Sequence, residues 1–110
     1  MNWNKDTDFE IIFTDDAKEQ LQDILDYIFF KLNNAQAAYN VEQDIKETTI
    51  MLSHIAGSLK LCENPPLNKL GYHTIHCKRH NYFMLYRIQE SIVYVDAIYH
   101  DLQDYENFSL

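Results

Sequence analysis

His100, with Asp104 and Tyr105 one turn further on, is one place in this 110-residue chain where side-chain types and spacing suit acid–base work. An imidazole has an ordinary pKa of about 6.5 and can give or take a proton near neutral pH. A nearby tyrosine can stack on a base or orient a phosphate. A His beside an Asp is equally a common structural pair. The basic run Lys78-Arg79-His80, with Arg87 beyond it, suits contact with an acidic partner or a phosphate. It suits a polar turn, plus one charge that keeps a sheet soluble, just as well. His73, His76, Cys77 and His80 fall within eight residues, a spacing that invites zinc. Side chains alternate along a strand, so His73 and Cys77 share one face and His76 takes the other. Four ligands cannot converge from such a strand alone. We expect neither a metal nor a cofactor. With two glycines in the chain, a phosphate-cradling loop is excluded, and neither a Ser/His/Asp order nor a metalloprotease motif is present.

The elements that must position these residues follow from periodicity. Phe9 to Phe13 is a short apolar, β-branched run and suits a strand. Thr14-Asp15-Asp16 supplies N-cap chemistry. Ala17, Leu21, Ile24, Leu25, Ile28 and Leu32 then recur at helical spacing, and Asn33-Asn34 breaks the pattern. A second stripe runs through Ala38, Val41, Ile45, Thr48, Leu52, Ile55 and Leu59. It predicts a helix over 35–61, with Gly57 a weak point and Pro65-Pro66 a firm stop. The two-residue break implies an antiparallel helical hairpin. Leu67 to Leu70 reads as a loop. From Gly71 three strands follow, broken at 78–81 and 89–91, and a short C-terminal tail closes the chain. The expected fold is α+β: β-α-α-β-β-β, a helical hairpin packed on a small, mostly antiparallel sheet. The first strand must join that sheet, because alone it would leave its backbone unpaired.

Length and composition fit one folded domain over 1–110. The net charge is −8. It disfavours general affinity for nucleic acid. Acid is concentrated early: residues 1–64 hold five Lys and twelve Asp/Glu, whereas 65–110 hold four Lys/Arg and five Asp/Glu. A locally positive sheet face is therefore compatible with the totals. The two cysteines make no disulfide framework, and neither a signal peptide nor an apolar run of membrane-spanning length is visible. These features point to a cytoplasmic protein with no membrane contact.

Three stretches then carry a resemblance. They are Gly71-Tyr72, the strand Asn81-Tyr82-Phe83-Met84-Leu85-Tyr86-Arg87-Ile88, and the close from Ile98 to Glu106. In this order and spacing they resemble the RelE/ParE superfamily of toxins from type II bacterial toxin–antitoxin modules, over nearly the whole chain. That family typically has Gly-Tyr-Arg, then Tyr-Arg-aliphatic-aliphatic-Tyr, then a closing His, Arg, Asp and aromatic. Here His73, Phe83 and Leu102 stand where arginines are usual, and Thr74 and His76 where the RNA-cleaving members carry lysines.

Those ribonucleases hold and stabilise phosphate charge with several cations. Their loss implies the ParE-like branch, which inhibits DNA gyrase by binding it without catalysis. The resemblance also implies a cognate antitoxin that wraps the toxin, laying a helix in a groove and in some members adding a strand. Target or partner contacts would fall on His76, Lys78, Arg79, Phe83 and Asp104. Aromatics such as Tyr27, Phe30, Tyr39 or Phe83 would add to them if exposed; lying partly buried under the C-terminal tail suits them equally. The alternatives are a ribosome-dependent messenger-RNA endonuclease using His100, Arg87 and Tyr105, and a non-toxic interaction module of the same fold.

Overall fold

The structure, a computed structural model, describes residues 8–101. Asp104 and Tyr105, with the rest of the closing motif from Leu102 on, lie outside the described residues. The element order is β1 (Glu10–Phe13), α1 (Asp15–Asp26), a π turn (Tyr27–Lys31), α2 (Ala35–Ile55), a 3-10 turn (Ala56–Ser58), α3 (Pro65–Lys69), β2 (Tyr72–His76), β3 (Tyr82–Gln89) and β4 (Ile92–His100). The sheet order is β1-β4-β3-β2. β2, β3 and β4 form an antiparallel meander, and β1 pairs parallel to β4 with Ile11 opposite Val93. This is the α+β fold that the periodicity predicts.

Local chemistry explains the element ends. Thr14 caps α1 by accepting from the Ala17 amide, and Asn34 caps α2 by accepting from the Ala37 amide. Asn33 takes the left-handed conformation, φ 50°, that the tight link between the helices requires. Three expectations need correction. α2 stops at Ile55, short of residue 61, because the chain tightens into the 3-10 turn that contains Gly57. The segment expected as a loop at 67–70 is mostly helical: Asn64 caps α3, and Pro65 stands in its first turn, where a missing N–H costs nothing. Leu32 leaves the first stripe and is 56% exposed. The cause is the π turn, in which the Leu32 amide donates to the Tyr27 carbonyl five residues back. The wider turn rotates later side chains off the buried face.

Both faces of the sheet are covered. The hairpin face carries the main core, which includes Met84, Tyr86, Val93, Val95 and Ile98 from the sheet and Ala17 and Leu52 from the helices. Tyr86 is fully buried, and its hydroxyl donates to the Ala56 carbonyl at 2.9 Å. The outer face carries a smaller core in which Tyr72, Leu85 and Ala97 meet Cys62 and Leu67. A bulge shifts the register so that Leu85 faces Ala97 while Tyr86 faces Val95. Asp96 is therefore the extra residue on β4.

Candidate functional site

The outer sheet face holds the first candidate cation. Arg87 sits on β3 opposite Tyr94, and its guanidinium lies 4.5 Å from the centre of the Tyr94 ring. Its Nε donates to Oδ2 of Asp96 at 2.7 Å, and the Tyr72 hydroxyl donates to the same oxygen at 2.7 Å. The Asp96 side chain is only 12% exposed. The bulge turns this carboxylate onto the face that Arg87 and Tyr72 share. Burial, then the bond to Asp96, pushes the Tyr72 phenol up to about 12. The bond to Asp96 is also the main reason the Arg87 guanidinium is held above its usual value. The charge of Arg87 is thus spent within the fold, and the positive sheet face that composition allowed is neutralised here.

Phe83 corrects an expectation. It is 3% exposed. Its ring lies between His76, 5.3 Å away, and Tyr99, 5.8 Å away. It forms part of a packed aromatic ladder and offers no surface to a partner. His76 is exposed above it and lies 3.4 Å from Asp101.

His100 and Arg87 are not brought together. His100 faces Tyr82, with the rings edge-to-face at 5.2 Å. Alternation places this pair on the hairpin side of the sheet and Arg87 on the outer side. Along β3, Tyr82 and Arg87 are also separated by about 17 Å. Tyr105, the third residue of the catalytic alternative, lies outside the described residues, as does Asp104.

The basic run lies on the β2–β3 connection, where Lys78 and Arg79 are exposed. Arg79 and His80 are drawn onto α2. Oδ2 of Asp44 accepts from the Arg79 amide at 3.1 Å and pairs with Nδ1 of His80 at 2.9 Å. The Arg79 guanidinium pairs with Glu47. Asp44 is 1% exposed, and its Oδ1 has no hydrogen-bond partner. Burial alone would raise its carboxyl pKa, but the His80 bond and the Arg79 and His80 amides outweigh it and hold the group below its usual range. Among the described residues no three His, Cys, Asp or Glu side chains gather as metal ligands. No described helix is long and apolar enough to cross a membrane.

An open apolar trough runs along the seam of the helical hairpin. Two cavities adjoin there. One, of about 680 Å³, is floored by Ile11, Phe13, Leu21 and Ile45 and rimmed by Lys18 and Lys46. The other, of about 410 Å³, reaches the turn between the helices and is lined by Leu25, Phe29, Phe30 and Tyr39, with Asp26 and Glu42 at its edge. Phe30 is 72%, Ile50 63% and Tyr39 57% exposed. Contiguous exposed apolar surface of this kind marks an interaction site. Tyr27, Phe30 and Tyr39 are all exposed. Asp96, Asp44 and the two trough lysines were not singled out from sequence. Asp96 carried one signal, a lone charge inside the apolar run from Ile92 to Tyr99. Asp44 carried a weaker one, falling three residues after Val41 on the buried stripe.

Comparison with known proteins adds the following. The family model described as "ParE toxin of type II toxin-antitoxin system, parDE" matches residues 11–105. A solved structure titled "Chromosomal ParDE TA system from P. aeruginosa" superposes with a TM-score of 0.69 at 22% identity, covering 84% of this chain and 95% of that one. No curated protein matches the chain.

Proposed function

Because the chain belongs to the ParE toxin family of type II toxin–antitoxin systems, we propose that it arrests growth by binding a protein target, DNA gyrase being the first candidate, and that a cognate antitoxin seated on the hairpin trough holds it inactive. The observation that carries the non-catalytic reading is the Arg87–Asp96 bond. Cleaving RNA requires cations aimed at phosphate charge as it develops. An arginine already bonded to a mostly buried carboxylate is a poor supplier of that charge, and Phe83 occupies a position where the cleaving relatives carry another cation. A net charge of −8 also opposes approach to ribosomal RNA. The trough supports an antitoxin partner, since an amphipathic helix laid into an apolar groove is a recurring mode of recognition.

The test is induction of the chain in bacteria without its partner, followed by a supercoiling assay with purified protein and gyrase. Growth arrest with intact transcripts and inhibited supercoiling is the expected result. Cut transcripts, with arrest abolished by His100→Ala and Tyr105→Ala and unaffected at Lys78 and Arg79, would replace this reading with the ribonuclease one. Arrest with normal supercoiling would remove gyrase as the target.

A further inference from the structure

The cavity beside β1 is set apart by the charge of its walls. Its floor is apolar, with Ile11 and Phe13 from β1, Leu21 from α1 and Ile45 from α2. Among the described residues, Lys18 and Lys46 are the only charged side chains that line it. The Thr49 hydroxyl, also on the wall, already donates to the Ile45 carbonyl at 2.8 Å. Among the described residues Lys18 pairs with no carboxylate. Lys46 lies 3.9 Å from Glu42, one turn back on α2, and both side chains are largely exposed. Such a contact contributes little. Glu42 itself lines the neighbouring cavity.

Apart from the two ammoniums, this wall has no free hydrogen-bonding side chain to orient a sugar or a base. It offers burial to a hydrocarbon chain and charge to a single anionic end. Lysine suits such a rim, because its methylene stem lies along the apolar wall while the ammonium stays in water. We infer that this cavity binds a free fatty acid. The acyl chain lies on Ile11, Phe13, Leu21 and Ile45, and the carboxylate meets Lys18, with Lys46 as the second and weaker cation. The site stands apart from the antitoxin reading, but one consequence rests on it. An acyl chain on this floor and an antitoxin in the trough compete for the same surface, so the fatty acid loosens the complex. Other occupants fit less well. A cationic amphiphile sets its head group against two ammoniums. A second copy of this chain brings a net charge of −8 against another −8.

The experiment titrates the full chain with decanoate below its micelle concentration and follows methyl signals by NMR. The expected result is a saturable shift at Ile11, Leu21, Ile45 and Ile50. From hexanoate to decanoate, affinity should rise about fourfold for each further methylene that is buried. Decanol should bind more weakly than decanoate, and decyltrimethylammonium more weakly still. Lys18→Gln combined with Lys46→Gln should lower decanoate affinity about fivefold and leave decanol unchanged. Ile50 is 63% exposed on the cavity wall. Ile50→Gln therefore spares the core and should weaken both ligands.

Equal affinity for the carboxylate and the ammonium amphiphile overturns the inference. So does decanoate binding that the two lysine substitutions leave unchanged. Shifts confined to Phe29, Phe30 and Tyr39 place the chain at the hairpin turn and overturn it too. Binding to phosphatidylglycerol vesicles with none to decanoate assigns the face to a membrane surface. A dimer in sedimentation that Ile50→Gln dissociates assigns it to a second copy. Either result removes the fatty acid. The consequence is read separately, on the complex purified with its antitoxin. Decanoate should release the antitoxin, and the double lysine variant should need about fivefold more of it. A complex that decanoate leaves intact, although the free chain binds it, upholds the site and removes the antitoxin from this cavity. If no antitoxin neutralises the chain, that reading falls, and decanoate binding to the free chain still decides the inference.

Discussion

Arg87 and Tyr72 come from different strands and meet on one oxygen, Oδ2 of Asp96, each at 2.7 Å. The bulge at Asp96 makes this possible, because it sets the carboxylate on the outer face between them. Removing the carboxylate leaves a half-buried guanidinium facing a phenol with no acceptor. Asp96→Ala should therefore destabilise the fold by about 3 kcal/mol, read as a lower midpoint in urea unfolding. An unchanged midpoint would mean that the network contributes nothing to stability.

The same network has an alkaline signature. The Tyr72 phenol is pushed up from its ordinary 10 to about 12, first by burial and then by Asp96. Above pH 10 the unfolded chain ionises this phenol while the folded chain does not. The associated stability is complete below 10 and is lost as pH rises through about 12. Ultraviolet titration should show a late-ionising tyrosine that Asp96→Asn brings partly, but not wholly, back towards 10. Full restoration would deny burial its leading role.

At the acid end, Asp44 is the group to watch. Its carboxyl is held below its ordinary value, so its contribution is present above the unfolded value of 3.8 and lost as pH falls through the lower folded one. The β2–β3 connection hangs on this carboxylate through the Arg79 amide and His80. Chemical denaturation between neutral pH and pH 2 should show a steeper acid loss for the native chain than for Asp44→Asn. At neutral pH, Asp44→Ala should cost about 3 kcal/mol. Equal acid profiles for the native chain and Asp44→Asn would refute the role assigned to this residue.

Tyr86 supplies a clean measure of one buried hydrogen bond. Its hydroxyl donates to the Ala56 carbonyl where the 3-10 turn begins, and the ring is fully buried. Tyr86→Phe should cost about 1–2 kcal/mol, since the carbonyl loses its donor while the packing stays. Tyr86→Ala should cost about 3–5 kcal/mol through the cavity it leaves. A Phe variant as unstable as the Ala variant would show that the hydroxyl, and not the ring, holds this part of the core.

Gly71 tests backbone conformation apart from packing. Its φ is 82°, and a Cβ there would meet nothing within 4 Å. Gly71→Ala should still lower stability, by about 1–2 kcal/mol, because the left-handed conformation is strained for any residue with a Cβ. A neutral effect would mean that the turn into β2 readily adopts another path.

The periodicities at 17–28 and 38–59 and the β-rich run from Tyr72 to Tyr99 determined the element order, the hairpin and the meander. They did so because burial of one face imposes a period of 3.6 on a helix and 2 on a strand. The order of motifs likewise sufficed to place the chain in its family. Sequence alone left open whether Arg87 was free to meet a phosphate. Its partner Asp96 is nine positions away, and only the bulge turns it to the same face. Phe83 looked available until its neighbours across the sheet, His76 and Tyr99, were seen to enclose it. The trough was out of reach for the same reason. Lys18, Leu21, Ile45 and Ile50 are neighbours only once the hairpin has closed and β1 has paired beside β4, and the π turn that exposes Leu32 has no strict sequence signature. Which charges are spent and which remain available is settled by contacts distant in sequence, and only the folded chain brings those residues together.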